Sequence, residues 1–124
     1  MSRERFLRLF DAAKYLAAHI HEAPVWIIPC LEGPTPTRTS GSSIYPAAQN
    51  MLLAARALGL GSTLTTRHMM FGKEVDAIFG LPPDVHSYAI LPIGWPMGKF
   101  GPLGRGPLKD VVYGDRWGQP YQGL

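Results

Sequence analysis

The stretch from Ser42 to Gly61, Ser-Ser-Ile-Tyr-Pro-Ala-Ala-Gln-Asn-Met-Leu-Leu-Ala-Ala-Arg-Ala-Leu-Gly-Leu-Gly, constrains this chain more than any other. It reads as one helix with both ends marked. Ser42 or Ser43 supplies an N-cap oxygen, and Pro46 suits the first turn, where a missing N–H costs nothing. Gly59 can take the left-handed conformation that ends a helix. Between these marks only Gln49, Asn50 and Arg56 are polar. A helix apolar on nearly every face is buried all round. The pattern therefore predicts the central helix of the core, one that a second subunit can share. Gln49 and Asn50, as buried amides, then need partners and are expected to fix neighbouring backbone.

The rest of the composition is consistent with one small domain covering residues 1–124. A hydrophobic share of 46% with 17% charged residues excludes disorder. The 14 glycines and 12 prolines gather in residues 33–41 and after Gly94, which marks a loop there and an extended arm over 95–124. The net charge of +3 comes from scattered Lys and Arg without interleaved aromatics, which argues against nucleic acid as a partner. A single cysteine, Cys30, excludes an internal disulfide and points to a reducing compartment. No apolar run reaches the roughly 20 residues needed to span a bilayer, and no signal-peptide pattern opens the chain. These readings place the protein in the cytoplasm, away from membranes.

Secondary-structure signals alternate in type along the chain. Residues 2–21 predict an amphipathic helix whose stripe is Phe6, Leu9, Phe10, Ala13, Leu16, Ala17 and Ile20. Val25-Trp26-Ile27-Ile28 predicts a buried strand, ended by Pro24 and Pro29, which cannot donate to a ladder. Residues 62–66 predict a strand from their threonines, residues 71–79 a short helix stopped by Gly80 and Pro82-Pro83, and residues 86–94 a second strand. Pro92 suggests an edge position or a bulge there. Trp117 and Tyr121 lie in a tail without a core of its own, which favours docking of that tail on a partner. The class is α+β, with the central helix packed on a small mixed or antiparallel sheet.

Several chemistries are absent. His19 and His21 do not face together on a helix, and His68 and His86 have no carboxylate or cysteine at ligand spacing, so no metal site is expected. Cys30 lacks an acid–base partner in sequence and reads as a buried, inert thiol. Gly59-Leu60-Gly61 ends a helix and does not follow a strand, so it is no dinucleotide fingerprint. No catalytic dyad stands out. Lys99, Arg105 and Lys109 lie among glycines, where backbone and a guanidinium fork suit a phosphate; the residue types alone favour a solvated tail. Ser43, Ile44 and Tyr45 fit a helix cap with a hydrophobic staple as well as they fit a stacking platform. Thr63, Leu64, Thr65 and Thr66 fit a plain strand as well as a ligand-facing loop.

Four segments together carry a family resemblance. The run from Tyr45 to Gly61 resembles the central helix of the FMN-dependent nitroreductase family. Gly80-Leu81-Pro82-Pro83 resembles that family's turn before its last core strand, and Ile90-Leu-Pro-Ile-Gly-Trp-Pro96 the strand and its exit. Arg105-Gly-Pro-Leu-Lys-Asp-Val-Val112 resembles its closing basic segment. The likeness runs from about residue 25 to the C-terminus. The Arg-rich start and the Pro-Ser-x-x-Asn-x-Gln-Pro-Trp segment of the family do not occur, so the chain resembles the C-terminal part of a nitroreductase, truncated at its N-terminus.

The resemblance implies a nitroreductase-like fold, a homodimer built on the central helix, and an FMN cofactor. It implies Arg105 at the FMN phosphate with Lys99 nearby, Thr63 to Arg67 passing over the flavin ring, and Ser43, Ile44 and Tyr45 near the flavin, often from the neighbouring subunit. The implied reaction carries hydride from NAD(P)H to a nitroaromatic, quinone or similar acceptor. The absence of a catalytic dyad agrees with a reaction whose chemistry resides in a cofactor. Two alternatives stay open: a truncated, non-catalytic relative that keeps the dimer core with weak or no flavin binding, and a small binding module for an anionic ligand.

Overall fold

The fold is organised by a long antiparallel ribbon. The computed structural model describes residues 2–123. Its strands are β1 (Val25–Ile27), β2 (Cys30–Glu32), β3 (Gly61–Ser62), β4 (Val85–Ser87) and β5 (Leu91–Gly94), and its helices are α1 (Arg3–His19), α2 (Arg38–Ala57) and α3 (Gly72–Ile78). β1 pairs with β5, placing Trp26 opposite Pro92, and β2 pairs with β4, placing Cys30 opposite Ser87. Pro24 and Pro29 flank β1, as a missing N–H requires. Between the two pairings Ile28 and Pro29 face three residues, Tyr88, Ala89 and Ile90. That extra residue is a bulge, and a bulge redirects the strand that carries it. Ile90 uses the redirection to exchange two backbone hydrogen bonds with Thr65, at 3.1 and 2.9 Å.

Pro92 stands in the middle of a sheet, which corrects the expected edge position: the order is β1-β5-β3. Its tolerance has a local cause. In the β3–β5 register Gly61 faces Gly94 and Thr65 faces Ile90, so Thr63 faces Pro92 at a hydrogen-bonding position. Proline has no N–H to offer the Thr63 carbonyl. The ladder accordingly stops at Ser62 and resumes only as an isolated bridge at Thr65. The strand expected over residues 62–66 is thus interrupted by a proline on its neighbour.

α2 begins earlier than its serines suggested. Thr37 is the N-cap, its Oγ1 accepting from the Ser40 amide at 3.0 Å. Ser42 lies inside the helix and donates to the Thr39 carbonyl at 2.7 Å, while Pro46 is an interior residue on an exposed face. The C-terminus is as read: Gly59 has φ of +80°, its amide donates to the Arg56 carbonyl, and the Leu60 amide donates to the Ala55 carbonyl. A methyl group at Gly59 would meet only the Trp95 ring, at 3.9 Å, so conformation alone sets its cost. Gly59→Ala should therefore cost about 1–2 kcal/mol and lower Tm by roughly 4–8 °C. Gly98→Ala, in open space without a left-handed φ, should leave the melting curve unmoved.

Burial is narrower than expected. The fully buried cluster is Ala48, Ala89 and Leu91, with Tyr45 and Leu52 packed against it. α2 buries one face, Gly41, Ile44, Ala48 and Ala55, and leaves Leu53 58% exposed. Gln49 and Asn50 are exposed, so they need no buried partners. α1, capped by Ser2, contributes no buried residue, and its Phe6, Leu9 and Phe10 lie open. β1 is exposed rather than buried, because it is the outer strand of its sheet. α3 closes with the same motif as α2, Gly80 at φ +69° and the Leu81 amide on the Asp76 carbonyl at 3.0 Å. The arm after Trp95 holds a one-turn helix at Leu108–Asp110 and a small loop in which Tyr113 bridges Pro120 and packs on Trp117. Trp117 itself is 90% exposed.

Candidate functional site

Thr65 is the fixed point from which the candidate site is built. Its backbone is tied to Ile90 at the bulge, and its Oγ1 accepts from the Arg67 amide at 3.4 Å. This pins a loop, Thr63 to Arg67, at the rim of the sheet. Among the described residues the amides of Leu64 and Thr66 and the carbonyl of Thr63 have no hydrogen-bond partner. The first two are free donors, and the third is the acceptor that Pro92 cannot serve.

Two apolar cavities flank this loop beneath α1. One, of about 200 Å³, is bounded by Leu16, Ile20, Trp26, Thr65, Arg67 and His68. The other, of about 540 Å³, is bounded by Tyr15, His19, Thr63, Pro92, Trp95 and Phe100. The Trp26 indole N–H donates to the Ile20 carbonyl at 3.0 Å, which fixes that ring as a wall of the first cavity.

Ser43, Ile44 and Tyr45 lie elsewhere. Ile44 is buried in the core and Ser43 is exposed. Tyr45 lines a third groove, of about 490 Å³, with Arg38, Ser42 and Tyr88. Its hydroxyl donates to the Tyr88 carbonyl at 3.1 Å, and its ring meets Tyr88 edge-on at 6.3 Å. Met69, 3.9 Å from the Tyr45 hydroxyl, belongs to the turn directly after Arg67 and is the link between the two regions.

The basic residues of the arm stand apart from both. Lys99 precedes Phe100, whose ring stacks under the Arg56 guanidinium at 4.4 Å and anchors the start of the arm to α2. Arg105 is exposed, and its guanidinium reaches only the Gly104 carbonyl, at 3.4 Å. Neither lines the cavities beside Thr63–Arg67.

A polar cluster escaped sequence reasoning. Asp76 on α3 accepts from both the hydroxyl and the amide of Ser87, the amide at 3.2 Å. His68 Nε2 lies 3.1 Å from Ser87 Oγ, and His86 Nδ1 lies 3.5 Å from the second Asp76 oxygen. Three separate elements supply these groups, so no spacing in the chain announces them. Burial pushes the Cys30 thiol up from its ordinary range, and the Asp76 carboxylate adds to that shift. The thiol donates to the Ile28 carbonyl at 3.3 Å; it is a poor nucleophile. No group of three metal-ligating side chains converges among the described residues.

The donor set suits a flat, polar-edged ring. Thr65 and Arg67 border the apolar space walled by Trp26, and Thr63 borders the other. The free amides of Leu64 and Thr66 lie on the same loop between these residues, polar groups beside apolar walls of the kind that orient such a ligand.

Comparison with known proteins agrees with this architecture. The nitroreductase family model matches residues 2–95. A protein of Methanothermobacter thermautotrophicus, provisionally named NADH dehydrogenase/NAD(P)H nitroreductase, is 32% identical over 100 residues, 77% of this chain and 51% of that protein. The crystal structure of the FMN and NADPH-dependent nitroreductase NfnB from sphigopyxis sp. strain HMH superposes with a TM-score of 0.65 at 20% identity, covering 94% of this chain and 53% of the other. The chain thus spans about half the length of each relative. The α+β fold expected from the sequence is the fold shared with NfnB. By its family match across most of its length, this chain belongs to the nitroreductase family.

Proposed function

We propose that this chain forms the ring-facing part of an FMN-dependent oxidoreductase that passes reducing equivalents from NAD(P)H to nitroaromatic, quinone or similar acceptors. The observation that carries the reading is the Thr63–Arg67 loop, whose Thr65 and Arg67 line one apolar cavity, whose Thr63 lines the other, and whose Leu64 and Thr66 amides are free. FMN, when bound, supplies the hydride chemistry. The chain's residues then bind and orient it: backbone amides of the loop meet the ring's polar edge, Trp26 and Ile20 exclude water, and Arg105, with Lys99, neutralises the phosphate. Tyr45 and Ser43 would act from a second copy, since in one chain Tyr45 opens into a separate groove and the exposed Ser43 lines neither cavity beside the loop. The exposed stripe of α1 and the open face of β1 support a homodimer. The single half-buried Cys30 supports a reducing compartment, the cytoplasm.

Absorption spectroscopy tests the reading. After incubation with FMN and desalting, the protein should keep flavin bands that NADPH or NADH bleaches. Arg105→Ala should weaken FMN retention by about tenfold or more, the loss expected for one charge-assisted contact. A colourless protein overturns the reading. It would favour the second one, a dimeric interaction protein with weak or no flavin binding, for which the position of Arg105 outside both cavities speaks.

A further inference from the structure

We infer that Asp76, Ser87 and His68 form a proton-operated latch that holds the segment from Arg67 to Ile78 against β4. The proton order follows from the donors available. A carboxylate only accepts, so the single Ser87 hydroxyl proton points to Asp76. Ser87 Oγ can then only accept from His68, which must carry its proton on Nε2. His68 Nδ1 is thereby left as a bare lone pair, and it is buried without a partner. A second proton would create a buried N–H with no acceptor, which costs more than an ordinary hydrogen bond returns. The latch closes only around a neutral ring.

The surroundings point the same way. Burial pushes the His68 pKa below its ordinary value of 6.5, and the Asp76 carboxylate opposes that shift. Facing the network are Asp76 from α3, His86 from β4 and Cys30 from β2, with Arg67 beside His68 in the cavity under α1 and Lys73 in the groove next to Asp76 and His86. The sign is fixed by the direction of the His68 shift. Because the folded state holds the proton less tightly, the neutral ring's contribution is complete above about pH 6.5 and is lost as pH falls through the lower, folded value. His68 follows Arg67 directly, so release would free the loop that borders the apolar cavities. That consequence rests on the flavin reading; the latch itself does not.

Hydrogen exchange on the flavin-free full chain tests the latch, with protection factors corrected for intrinsic rates at pH 8 and pH 5. Amides of residues 67–79 should lose protection by about tenfold or more on acidification, as for one unpaired buried donor, while residues 50–57 of α2 hold within about twofold. His68→Gln keeps a donor near the Nε2 position but cannot gain a proton. In H68Q the same fall should shrink below about threefold. Equal protection at both pH values, or an unchanged fall in H68Q, overturns the latch. Nitrogen NMR of the wild-type imidazole needs no variant: at pH 8 His68 should be the Nε2–H tautomer, and an Nδ1–H tautomer overturns the proposal. Since no flavin is present, loss of FMN binding and failure of the latch are separate outcomes.

Discussion

Replacing Leu91 by alanine should cost about 3–5 kcal/mol, the upper part of the range for a buried leucine. Leu91 is the one large side chain that is fully buried among the described residues. It sits on the central strand, and its fully buried companions are Ala48 and Ala89. Two methyl groups cannot move into the space a leucine leaves, and the backbone is held by α2 on one side and by the bulge on the other. The cavity therefore persists, and the loss adds a cavity term to the transfer term. Against an ordinary total of roughly 5–15 kcal/mol, such a loss takes much of the folded population. Urea unfolding followed by circular dichroism measures it. Leu91→Met, similar in volume, should cost less than about 1.5 kcal/mol. A Leu91→Ala loss below about 1 kcal/mol would show that α2 and the sheet can close over the gap.

Asp76→Ala should be the most damaging polar change, with a loss of about 3 kcal/mol, as expected when two hydrogen bonds to one charged acceptor disappear together. Its carboxylate serves the Ser87 hydroxyl and amide and faces His86 Nδ1. Ser87 is 4% exposed, so water cannot replace the lost acceptor. Tm should fall by roughly 10 °C for a domain of this size. Asp76→Asn, which keeps one carbonyl oxygen, should recover part of the loss. A truncation of Glu74, exposed on the same helix, should change Tm by no more than a degree or two, and equal effects at the two positions would contradict the assigned role of Asp76.

Legibility in the sequence followed the range of the interaction. The C-termini of α2 and α3 are legible in the sequence, because a glycine two residues past the last helical residue solves a local backbone problem. Pro24 and Pro29 bounded β1 for an equally local reason. The start of α2 is not legible in the sequence, because Thr37, Ser40, Ser42 and Ser43 all offer capping oxygens, and only the outgoing path from β2 selects among them. The apolar stripe of α1 was readable as a stripe, but not what covers it, since periodicity reports a face and never its partner.

The candidate site divides along the same line. The family resemblance, and not residue types alone, points to Thr63–Arg67, Arg105 and Tyr45; of these Thr63, Thr65 and Arg67 border the cavities beneath α1, and Arg105 and Tyr45 do not. The sequence by itself determined where α2 and α3 end, the strand-breaking prolines and the α+β class, because capping, φ restriction and hydrophobic period act within a few residues; the family came from the resemblance of whole segments. Tertiary structure alone decided the bulge that ties Thr65 to Ile90, the central place of Pro92 and the meeting of His68, Asp76 and Ser87. Each of these depends on the register between segments far apart in the chain, and a shift of a single residue would turn those side chains to the opposite face.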